Sequence, residues 1–205
     1  MEQSVHLLDM VPSTFPPHPG EEAVTRLLRE VGEDPQRAGL ERTPRRMYAS
    51  LSFLTDGYGR TVKDVVGDAL FEERYDEMVV VRDIEFYSLC EHHVLPFFGR
   101  VHIAYLPQGR IVGLSKLPRV VDLFAHRLQV QERLTTQIAE GLSGVLEPKG
   151  VGVVVEASHL CMMMRGVQKQ AAHTVTSAMR GLFRDDPRTR MEFLSCVRHG
   201  EDSSR

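Results

Sequence analysis

The chain has 205 residues, enough to bury a core as one domain with room for a small appendage. Apolar and charged fractions of 42% and 26% are those of an ordinary globular protein. A formal net charge of −3, from 25 basic and 28 acidic residues, argues against nucleic acid or membrane as a partner but leaves room for a basic pocket taking one phosphorylated ligand.

In chain order, residues 1–19 carry Pro12, Pro16, Pro17 and Pro19 without periodicity and read as a flexible arm. Residues 20–60 form a helical region. Ala23, Val24, Leu27, Leu28 and Val31 fall at helical spacing, and a second helix is predicted from Thr43 as cap, with Pro44 in its first turn, to about Thr55. Residues 61–205 form the main domain, entered through a linker. Strands are predicted over 78–87 and 99–106, and the Pro107-Gln108-Gly109 turn predicts a hairpin between 94–106 and 110–114. Ser115 reads as the cap of a helix carrying Val120, Val121, Phe124 and Ala125 on one face. A further helix has the stripe Val130, Leu134, Ile138, Leu142, Val145. Strands over 151–157 and 174–183 and a last helix over 188–197 complete a segregated α+β pattern with an antiparallel sheet.

The N-terminus shows no basic region followed by an apolar core, so no secretory signal is expected. The apolar runs are strand-sized, too short for a bilayer. Three cysteines, Cys90, Cys161 and Cys196, point to a reducing compartment, by default the cytoplasm. Cys196, beside Phe193 and Leu194, reads as core, and Met162, Met163 and Met164 as adaptable packing.

Cys90-Glu91-His92-His93 follows directly on a predicted strand, and Cys-x-x-His lets a thiolate and an imidazole converge on one metal from a tight turn. Alone, the spacing is weak evidence, since it also describes a buried cysteine beside two surface histidines. His159-Leu160-Cys161 repeats the pairing at another strand end. Cys90, His93 and Cys161 plus water make a catalytic zinc site, whereas His92 or His159 as a fourth ligand makes a structural one. With that position open, bound water is acidified and His92 and His159 stand ready for proton transfer. Lys116 and Arg119 share one face of a first helical turn and, with Arg165, suit a phosphate chain; singly, each reads as a solvated charge. Glu132 is explained either by the helix dipole or by the N–H and NH2 edge of a guanine.

Together CEHH, GLSKLPR, RLQVQERLT, HLCMMMRGVQKQ, TVTSAMRG and EFL, in this order over about residues 20–198, resemble the zinc-dependent GTP cyclohydrolase I family. The resemblance implies a tunnelling fold: an antiparallel β-sheet with two helices packed on one face, preceded by an N-terminal helical pair, with 61–205 as catalytic domain. It implies hydrolytic opening of the guanine imidazole ring of GTP at C8, releasing formate and giving 7,8-dihydroneopterin triphosphate, the first step of tetrahydrofolate/pterin biosynthesis. Zn2+ would be held by Cys90, His93 and Cys161, with His92, His159, Ser115 and Gln131 as catalytic residues. Glu132 would anchor guanine, Lys116, Arg119 and Arg165 the triphosphate, and Arg46 of the TPRR segment would reach the site from a neighbouring subunit of a homodecamer. His173 stands where many relatives carry another polar residue. Two alternatives are a nitrile reductase of the same fold, with a catalytic cysteine and no zinc, and a non-catalytic zinc-stabilised binding module.

Overall fold

In a computed structural model describing residues 18–198, the chain divides into two compact units at Thr55/Asp56. The arm expected over 1–19 lies outside the described residues except for His18 and Pro19.

The first unit holds α1 (Pro19–Glu30) and α2 (Thr43–Leu54). Proline at the first helical position brings a suitable φ and lacks only an N–H that would have no partner there. His18 caps α1 by accepting from Gly20 N–H at 3.0 Å, and its ring stacks on Tyr48 at 4.3 Å. At α2 the expected cap is displaced by one residue. Thr43 is already helical, and Arg42 in the cap position makes no side-chain capping bond.

In the second unit the expected linker is structured. Thr61 and Asp64 form a reciprocal capping box that opens α3 (Val62–Val66), and β1 (Leu70–Glu72) follows. Both elements are too short to carry a periodic signal.

The main sheet is built from β2 (Val79–Cys90), β3 (Pro96–Leu106), β5 (Leu128–Gln129), β6 (Gly150–His159) and β7 (Thr174–Gly181), in the order β5-β2-β3-β6-β7. All neighbours are antiparallel except β5, which joins β2 in parallel over two residues. The hairpin expected across Pro107–Gly109 is not formed: β4 (Arg110–Val112) pairs with β1. Both edges of β3 are already occupied, by β2 and β6, so the returning chain has no free edge to join.

Alternation along β3 sends Phe97, Val101, Ile103 and Tyr105 to one face, where α4 (Lys116–Ala125) and α5 (Gln131–Leu146) pack. Of the predicted stripe, Leu134, Ile138 and Leu142 are fully inaccessible, each contributing about 1.5–3 kcal/mol of transfer free energy, whereas Val145 is half-buried and Val130 precedes the helix in extended backbone. The expected antiparallel sheet with two helices on one face is thus present. On the opposite face, α7 (Leu182–Asp185) and α8 (Pro187–Arg198) bring Phe183, Phe193 and Val197 over Ala104 and Val154. Cys196, expected in the core, is only half-buried, because Phe193 and Val197 occupy the inward positions of α8. Met162, in the single helical turn α6 (Leu160–Met163), and Met164, which caps it, are exposed.

Candidate active site

Two strand ends build the site. β2 ends at Cys90 and turns through Glu91, His92 and His93, tied by Cys90 N–H to Leu95 O at 2.9 Å and Glu91 N–H to Gln129 O at 3.0 Å. β6 ends at His159, and the turn of α6 presents Cys161. Because β3 pairs with both β2 and β6, aligning Leu89 with Pro96 and Phe97 with His159, the two motifs meet at one end of the sheet.

One ligand atom each from Cys90, His93 and Cys161 lie within 4.8 Å of one another. Tetrahedral zinc holds such donors about 3.5–3.8 Å apart, so shifts of about 1 Å close the site. Burial and the adjacent Cys90 thiol push the Cys161 thiol up, while Arg165 acts in the opposite direction. Two thiols so close cannot both ionise without a counter-charge, which a divalent cation provides. The donor set and its spacing therefore fit zinc.

His159 stacks flat on Phe97, with centroids 4.7 Å apart. Its Nε2 lies 2.8 Å from Gln131 Oε1. Gln131, the first residue of α5, is buried, and its Nε2 donates to Val155 O and Thr174 O, each at 3.0 Å. Two carbonyl partners fix the amide with its oxygen toward His159, so His159 donates from Nε2 and keeps a free lone pair on Nδ1. Burial lowers the pKa of His159, and the carboxylate of Glu132 opposes this. Glu132 is exposed on the same helical turn. His92 is exposed, its Nδ1 3.7 Å from Cys90 Sγ and its Nε2 3.9 Å from Glu91 Oε1. Arg165 also stands here, donating to Cys161 O at 2.8 Å with His93 Nε2 at 3.4 Å.

Ser115, Lys116 and Arg119 do not join this cluster within one chain. The C-terminal end of α4 lies beside the site, where Ser88 Oγ donates to Ala125 O at 2.6 Å. Its N-terminal end is about 15 Å further along the helix. There Lys116 Nζ donates to Val65 O at 3.0 Å, and Ser115 makes no capping bond. Nearness in sequence to the metal motifs was not nearness in space. Arg46 is exposed on α2, in the other unit. His173 Nδ1 lies 3.0 Å from Ser158 Oγ.

Sequence reasoning passed over Phe97, which carries His159, and the pair of Arg133 with Glu91, at 2.6 and 3.0 Å. Glu91 lies inside CEHH and Arg133 inside QERLT, so both were in view; only the pairing was hidden.

Fold and site together define an α+β protein with a Cys2His cluster suited to a metal ion at one end of an antiparallel sheet. A family model described as GTP cyclohydrolase I matches residues 20–198. A GTP cyclohydrolase 1 of Synechococcus sp. (strain JA-3-3Ab) is 59% identical over 177 residues, covering 86% of this chain and 77% of the relative. Those of Rattus norvegicus and Homo sapiens are 57% and 56% identical over 176 residues, covering 86% of this chain and 73% and 70% of theirs. The chain belongs to the GTP cyclohydrolase I family, a family of enzymes. Membership removes the nitrile-reductase alternative. Among the described residues no helix is long and apolar enough to cross a membrane.

Proposed function

We infer that this enzyme opens the imidazole ring of GTP at C8, releasing formate and giving 7,8-dihydroneopterin triphosphate. The observation that carries the reading is the meeting, at one end of the sheet, of the Cys90, His93 and Cys161 donors with an oriented His159 and the carboxylate of Glu132.

Cys90, His93 and Cys161 would hold zinc, which when bound acts as a Lewis acid and makes hydroxide available from water near neutral pH. Glu132, exposed beside His159, accepts two hydrogen bonds from the N–H and NH2 edge of guanine and so sets C8 against the metal end. His159 takes protons on Nδ1 during hydration and formate release, because Gln131 holds its Nε2 as the donor. His92 donates the proton that the ring nitrogen needs as the ring opens. Arg165, already at the metal end, pairs with phosphate.

Ser115, for the later ribose opening, and Lys116 and Arg119, for the triphosphate, belong to the same site when supplied by an adjacent copy, with Arg46 arriving from another. This agrees with their distance from the metal end within one chain, and a homodecamer with sites between subunits provides the arrangement. A reducing cytoplasm suits the two thiol ligands.

The test is to incubate the reduced, purified protein with GTP and measure formate, oxidised neopterin fluorescence and bound zinc. About one zinc per chain is expected for a three-ligand site, with both products formed. Cys90→Ser and Cys161→Ser should lose zinc and products together. Zinc without turnover would favour the non-catalytic binding module, and full activity in a metal-free variant would refute the ligand assignment.

A further inference from the structure

Beyond these roles, and resting on that reading of the site, we infer that Arg133 is a positioning residue, which through Glu91 fixes the metal-bearing turn against the guanine-anchoring end of α5.

Glu91 lies between the ligand Cys90 and His92, and Arg133 directly follows Glu132. The guanidinium meets the carboxylate in a two-pronged contact, Nη1 to Oε2 at 2.6 Å and Nη2 to Oε1 at 3.0 Å. Parallel N–H···O bonds between a planar fork and a planar carboxylate fix orientation as well as distance. A second link reaches the same stretch of chain, since Glu91 N–H donates to Gln129 O at 3.0 Å. The turn that offers Cys90 and His93 is therefore pinned to the residues that open α5. Those residues carry Gln131, which orients His159, and Glu132, which anchors the base.

The alternative is an ordinary surface ion pair, of little consequence for stability or function. The side chains are 44% and 32% exposed, so the contact adds little to folding stability. Its position makes the difference. It joins the metal turn to the guanine end of α5, and small displacements of catalytic groups are costly. Loss of Arg133 would therefore act on zinc retention and on substrate placement, with the fold intact.

The experiment compares wild type with Arg133→Ala, Glu91→Ala, the double variant and Arg133→Lys. It measures zinc affinity against a chromogenic chelator, KM and kcat for GTP, and the melting temperature of the zinc-free protein. Each alanine variant should hold zinc about tenfold more weakly and show a raised KM, at nearly unchanged melting temperature. The double variant should be no worse than the worse single one, and lysine should restore only part, lacking the fork. Zinc affinity and KM within about twofold of wild type, additive losses in the double variant, or a zinc-free melting point that falls in step with affinity would each overturn the inference. A wild type that binds zinc but leaves GTP unchanged would sink the functional reading instead, while the zinc measurements would still decide the pairing.

Discussion

Both halves of the Gln131 amide are committed: its nitrogen to two strand carbonyls, its oxygen to His159. The residue acts through the imidazole it orients. Gln131→Leu should keep zinc, lower kcat about 100-fold by leaving His159 free to rotate and change tautomer, and cost a few degrees of melting temperature. A kcat equal to wild type, with zinc bound, would remove the orienting role. From the sequence Gln131 was recognised only by the company it keeps in QERLT. Its partners Val155 and Thr174 are distant in the chain, so no spacing could announce them. The metal ligands were easier to see, because thiolates and imidazoles at strand ends have few other uses in a chain with three cysteines.

At the scale of elements, the long pieces were legible and the short ones were not. The stripe of α5 and the alternation of β3 repeat often enough to show their period, whereas α3 and β1 are five and three residues long. The bulge in β2 was equally invisible. Register shifts between Val81 and Ile84, and Asp83 takes φ of 57°. Buried His102 secures this kink by accepting Asp83 N–H on Nδ1 at 3.2 Å, a bond only the neutral ring can make. Burial lowers the pKa of His102; Glu156 and Asp83 oppose that shift, and Arg82 and Arg100 reinforce it. As pH falls, the unfolded chain takes up this proton first. Stability is therefore complete above the ordinary histidine value of about 6.5 and is lost as pH drops from there through the lowered folded value. Denaturation midpoints measured between about pH 5 and 8 should slope more steeply for wild type than for His102→Gln, which cannot titrate. Parallel slopes would show that His102 contributes nothing to acid sensitivity.

At the scale of the whole molecule, one chain brings together Cys90, His93, Cys161, His159 and Glu132 but leaves Ser115, Lys116 and Arg119 at the other end of α4. If copies complete one another's sites, Cys161→Ser and Lys116→Ala break different halves. Each variant alone should be nearly inactive. Unfolded together and reassembled in equal amounts, they should recover about a quarter of wild-type activity, the share of sites that draw both intact halves at random. Recovery no greater than the sum of the separate variants would place both halves in a single chain.

The α+β class, the two helices of the main face, the three candidate metal donors and the family were legible in the residues alone, because local periodicity and donor chemistry are written in neighbouring residues. That β4 leaves β3 for β1, that Gln131 sets the tautomer of His159, that Arg133 reaches Glu91, and that Lys116 lies far from Cys90 emerged only in the packed chain. Each of these depends on which strand edges are already occupied and on contacts between residues distant in the chain. Such contacts have no local period to read.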